Sequence, residues 1–133
     1  MKRSLLPFAL IPALAVLPAC RADETVGGYG AAERVWRLES IDGAAFSARA
    51  TLTFPEPGKI AGQAPCNRYF GPMTVPYPWF DAGQVASTRM ACPDLTSESK
   101  FLKALSEMSL SEVSGDVLLL SNDAGRTMVF KAE

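Results

Sequence analysis

The chain of 133 residues contains no histidine. A Ser–His–Asp triad, a Cys–His pair and any His-ligated zinc site are therefore excluded by counting. There is no surplus of either charge: 13 Lys plus Arg stand against 14 Asp plus Glu. Such a balance leaves no basic face to grip a phosphate backbone, so no nucleic-acid partner is expected. The P-loop, G-x-G-x-x-G and G-x-S-x-G motifs are missing, and Asp81, Asp94 and Glu98 lack the spacing of a glycosidase acid–base pair. The expectation is a protein that is not an enzyme, with no catalytic residue, no metal and no cofactor. What is present is an apolar fraction of 48%, enough for a packed core, on a length that fits one domain.

The first twenty residues, MKRSLLPFALIPALAVLPAC, pair a basic start (Lys2, Arg3) with a charge-free apolar stretch from Leu5 to Val16. That stretch is too short for a ~30 Å hydrocarbon core, and Pro7, Pro12 and Pro18 oppose a helix. It reads as a secretory signal peptide over residues 1–19. Leu17-Pro18-Ala19-Cys20 resembles the bacterial lipobox, so Cys20 is expected to become the lipid-bearing first residue. Its acyl chains, at about 0.8 kcal/mol per buried CH₂, would then anchor the protein to a membrane. Arg21 follows where an Asp would signal inner-membrane retention, so the expected place is the outer membrane, facing the periplasm. The remaining 114 residues carry a formal charge of −3.

Cysteine parity supports this compartment. With Cys20 acylated, Cys66 and Cys92 form an even pair in an oxidising space, and one disulfide is expected. Two buried free thiols are the alternative. A catalytic thiol lacks a histidine base, and a metal site needs more ligands.

Residues 20–33 read as the lipidated cysteine and a Gly-rich tether, with the domain proper at 34–133. Short strand-like runs follow. Trp36 and Leu38 alternate with charged neighbours, and Asp42-Gly43 is a turn signal. Ala50–Phe54 alternates again, and Lys59–Ala64 is its expected hairpin partner, with Ile60 and Gly62 inward. Val117–Leu120 and Thr127–Phe130 flank a Gly-containing loop and predict a C-terminal hairpin. One helix interrupts the strands, with Asp94 as N-cap and Leu95, Phe101, Leu102, Leu105 and Met108 as its apolar stripe.

Two segments carry a family resemblance. Ala61-Gly62-Gln63-Ala64-Pro65-Cys66-Asn67-Arg68-Tyr69-Phe70-Gly71 resembles the G-x-x-G-C-N-x-(Y/F)-x-G segment of META domains. Ser87-Thr88-Arg89-Met90-Ala91-Cys92-Pro93 resembles their (S/T)-T-x-M-A-C segment, and the order of elements agrees over residues 34–131. This is the domain of HslJ-type envelope lipoproteins. The resemblance implies an α+β fold, a curved antiparallel sheet of about six to eight strands with one packed helix. Two departures stand out. Pro65 replaces the usual Gly before the cysteine, and 75–80 (Val-Pro-Tyr-Pro-Trp-Phe) holds extra proline and aromatic bulk.

Five residues are candidates for binding. Asn67 and Arg68 follow Cys66; Asn67 tolerates left-handed backbone and reads as a turn-maker, or else as a contact. A Cys66–Cys92 bridge would bring Arg68 and Arg89 together as a basic spot for a carboxylate or phosphate. The competing reading pairs Arg89 with Glu98 or Asp94 of its own domain. Tyr77 and Trp79 are either an exposed aromatic anchor or, with Phe80, part of the core. The resemblance implies a non-catalytic, monomeric envelope lipoprotein that binds an unknown envelope component or has a structural role in stress tolerance. The alternative is a periplasmic inhibitor of a lysozyme or protease, with 75–80 as its wedge.

Overall fold

The computed structural model describes residues 7, 9–15 and 22–133. Much of the expected signal peptide, and Cys20 itself, lie outside the described residues. Among those described, no helix is long and apolar enough to cross a membrane.

The strand alternation at 36–41 forms β1 (Trp36–Ile41), with Trp36 and Leu38 buried and Arg37 exposed. Asp42 and Gly43 both take positive φ (50° and 79°), the backbone of a tight two-residue hairpin, and β2 (Ala44–Ala45) returns antiparallel. β3 is only Thr51–Leu52, shorter than its sequence run because Thr53 leaves β1 to bridge Ala61. β4 (Lys59–Gln63) and β5 (Arg68–Pro72) form the next hairpin, and β6 (Ala86–Ser87) pairs with β5. Helix α1 spans Leu95–Glu107. β7 (Leu110–Ser114), β8 (Val117–Ser121) and β9 (Thr127–Ala132) complete the chain.

Six strands make one sheet, ordered β2-β1-β9-β8-β7 with β3 also on β1; β4-β5-β6 make the other. The Thr53–Ala61 bridge, with N–H···O distances of 2.7 and 3.0 Å, joins the two sheets. A register shift between Leu38 and Ser40 bends β1 against β9. The outer edge of β7 is covered by the 78–80 segment, where Ser111 N donates to Pro78 O and Phe80 N to Ser109 O. The fold is therefore α+β, mostly antiparallel sheet with one helix, as the resemblance implied. β7 went unread because only Leu110 and Val113 among its five residues are apolar.

Close approach of strands decides one glycine. A Cβ on Gly62 would overlap both Thr51 O and the Tyr69 hydroxyl. The hydroxyl donates to Thr51 O at 2.5 Å, and burial holds the Tyr69 phenol far above its ordinary range. Tyr69 then meets Phe101 of α1 edge-on, with centroids 5.5 Å apart.

Two expectations need correction. The buried face of α1 is Glu98, Phe101, Ala104 and Leu105, followed by Met108; Leu95 is 42% exposed and Leu102 half-buried. The helix is rotated so that its first turn offers Glu98 rather than Leu95 to the interior. Asp94 occupies the N-cap position, but its side chain makes no capping bond; its carbonyl accepts the Glu98 N–H at 2.9 Å.

Nor are residues 23–33 a free tether. Asp23 accepts the Thr25 amide and hydroxyl, a 3-10 turn runs from Val26 to Tyr29, and Val26 and Ala31 are wholly buried. Ala31 O accepts Trp36 Nε1 at 2.9 Å, which ties this segment to β1. The glycines that suggested flexibility serve close packing: a Cβ on Gly28 would overlap Asp23 O.

Candidate functional site

Between β4 and β5 the chain turns at 64–67, where Ala64 N donates to Asn67 O at 2.8 Å. Cys66 bonds to Cys92, with Cα atoms 5.7 Å apart, so this turn is joined to the segment entering α1. The expected disulfide is present, and free thiols at these positions are not.

Asn67 is 3% exposed and satisfies its whole side chain. Its Nδ2 donates to Glu98 Oε2 at 2.7 Å and to Met90 O at 3.0 Å. Its Oδ1 accepts Met90 N at 2.6 Å and the Thr88 hydroxyl at 3.0 Å. The carboxylate partner dictates which end of the amide is nitrogen. Asn67 is not among the residues with positive φ. It works as a bracket between three segments, not as a left-handed turn-maker.

Sequence reasoning named Glu98 as a partner for Arg89 and missed its buried role. It is 6% exposed, and its Oε1 accepts the main-chain N–H groups of Cys66 at 3.0 Å and Asn67 at 2.7 Å. One buried carboxylate thereby takes three donors, each strengthened by its charge. A signal was available: Glu98 lies three residues before Phe101 and seven before Leu105, on the apolar stripe, where a charge is rare unless paired.

The two arginine-bearing segments do come together. Thr88 N donates to Arg68 O at 3.0 Å, and Arg68 N donates to the Thr88 hydroxyl at 3.2 Å. Both arginines are exposed, and among the described residues neither forms an ion pair. The expected partner Glu98 is occupied by Cys66 and Asn67, which is why Arg89 does not pair with it. An open hollow of about 320 Å³, lined in part by Thr88, Arg89, Met90 and Leu95, lies over this corner. Phe70, Met90 and Leu95 add exposed apolar surface.

Tyr77 and Trp79 lie elsewhere, along β7. Tyr77 is half-buried and stacks on Tyr29, with centroids 4.6 Å apart and planes 12° apart. Trp79 is 55% exposed while Phe80 enters the core, so the segment divides between the two roles that its sequence allows.

A META domain family model matches residues 31–133, which include the Cys66 turn, the 88–92 segment and α1. The chain belongs to the META domain family. No curated protein matches it. An NMR structure of a protein from Burkholderia xenovorans is similar at 22% identity and a TM-score of 0.65, covering 100% of this chain and 99% of the other. A second NMR structure has 26% identity and a TM-score of 0.57, covering 74% of this chain and 87% of its own. These likenesses concern the fold. Among the described residues of this META domain, every buried side-chain nitrogen or oxygen has a partner. No group of three or more His, Cys, Asp or Glu among them could hold a metal ion.

Proposed function

We propose that this META domain is a non-catalytic, lipid-anchored envelope protein that binds an anionic group of an envelope component at the Cys66–Cys92 corner. The observation that carries this reading is the pair Arg68 and Arg89, exposed and without ion pairs among the described residues, on two segments held together by a disulfide and a buried carboxylate. Two guanidinium forks on a rigid frame suit a carboxylate or phosphate, and little ordering is left to be done on binding. Phe70 and Met90 supply apolar contact beside them. A role in stress tolerance is part of the same proposal, as is export with acylation at Cys20. The inhibitor reading is less favoured, because the 75–80 segment lies along β7 instead of projecting as a wedge.

The test is a photo-crosslinker at Met90 in the full chain, expressed in intact cells, with and without Arg68→Ala plus Arg89→Ala. A discrete adduct that the double variant loses, at unchanged stability, supports the reading. An adduct indifferent to both arginines, or none, overturns it.

A further inference from the structure

The aromatic residues along β7 stand next to the point where the chain arrives from its expected anchor. Tyr77 N donates to Glu24 O at 2.7 Å, and Tyr77 stacks on Tyr29, which ends the 3-10 turn. Glu24 follows Cys20 by four residues. Four residues reach at most ~14 Å when fully extended. From Asp23 onward the chain is committed to the fold, with Val26 in the core. An acylated Cys20 therefore leaves the domain no length with which to stand clear of the bilayer.

We propose that Tyr29, Tyr77 and Trp79 form a foot that rests in the interfacial zone of the phospholipid leaflet holding Cys20; this inference rests on the lipid-anchor part of the reading above. Tyr and Trp present an apolar ring with a polar tip, the combination enriched where hydrocarbon meets water. Tyr29 and Trp79 are both more than half exposed. The backbone beneath them is already fixed: Trp79 bridges Leu110, and Val113 N approaches the Tyr77 hydroxyl at 3.4 Å. Leu110 and Val113 are three residues apart on β7, which spreads the foot over about 10 Å. The neighbouring charges are mixed: Glu24 is exposed and Glu112 lies two residues from Leu110, against Arg21 beside the expected anchor and Arg34, which is paired with Asp116. The contact is thus apolar rather than a pull toward anionic lipid, and the anchor supplies the local concentration that so small a surface needs.

Only two tryptophans are present, and Trp36 is wholly buried. Trp79 therefore reports alone on the surface. The full chain, exported and processed in a bacterial host, is placed in zwitterionic phospholipid vesicles, with and without bromine on the acyl chains. Mass spectrometry checks Cys20 for its acyl groups. Brominated lipid is expected to quench the Trp79 share of the emission, and Trp79→Phe to remove that quenching. Iodide quenching should fall severalfold on reconstitution, and 0.5 M salt should change neither result. Emission indifferent to bromolipid and still open to iodide, on a protein of confirmed acyl mass, overturns the foot alone and leaves the aromatics to a protein partner. An unacylated Cys20 overturns the anchor reading and the foot with it.

Discussion

Glu98 and Asn67 meet twice: one carboxylate oxygen accepts the Asn67 main-chain N–H and the other its side-chain amide, both at 2.7 Å. The contact joins a buried face of the helix to the turn between β4 and β5. It explains how a charge sits inside this small domain, since each carboxylate oxygen has its donors.

Glu98→Ala strips the partner from two main-chain donors and one amide in a buried place, and the expected loss is about 3 kcal/mol. Glu98→Gln should cost less, because one acceptor oxygen remains. Urea unfolding followed by circular dichroism gives both values. A loss below ~1 kcal/mol for the alanine variant would mean that water replaces the carboxylate.

Removing the disulfide by Cys66→Ala with Cys92→Ala should cost roughly 3.5 kcal/mol from the released loop entropy. The bracket at Asn67 ties the same segments, so this loss and that of Glu98→Ala are expected to couple by at least ~0.5 kcal/mol. A double-mutant cycle in urea measures the coupling, and strict additivity would contradict a shared corner.

Arg89→Ala and Arg68→Ala should each leave stability within about 0.5 kcal/mol of the parent, because neither side chain has an ion partner among the described residues. Thermal unfolding decides this. A clear drop would point to an internal partner and weaken the binding role.

Asp42 gives the pH dependence. Its carboxylate accepts bonds from Arg126 and from the Thr127 amide, and these hold its pKa below the ordinary value. A carboxyl depressed by folding adds stability above its unfolded pKa and loses it as pH falls through the folded one. The stability gap between the parent and Asp42→Asn should therefore be level from ~pH 5 to 8 and shrink below ~pH 4. Asn also tolerates the positive φ of this position, so the comparison adds no backbone strain; the one acceptor it loses is a pH-independent offset, and the change with pH reports the charge. Urea midpoints across that range provide the check, and a gap that widens in acid would refute the assignment.

Much of the fold could be read from local pattern. Trp36 and Leu38 alternate as a half-buried strand should, and Asp42-Gly43 turns where its residues allow positive φ. The Cys66 and Cys92 segments were legible through family resemblance and cysteine parity. What escaped was set by tertiary packing. Nothing local distinguishes Gly27-Gly28 in a linker from the same pair in a close turn. Leu95 fits a helical stripe, yet the rotation of α1 was decided by Glu98 reaching the turn 31 residues away. Arg89 looked destined for an acidic neighbour, and only the structure reveals that this neighbour was already engaged.

The last strand, β9, lies between β1 and β8, and its Phe130 is wholly buried. β1 can pair with β2 and β3 as soon as these are made, but its contact with β9 waits for the last strand in sequence order. Pairing of such distant segments is intrinsically slow. A chain emerging from a ribosome would leave this sheet open until β9 arrives. The topology makes this a late-closing domain, whose first strand is completed by its last.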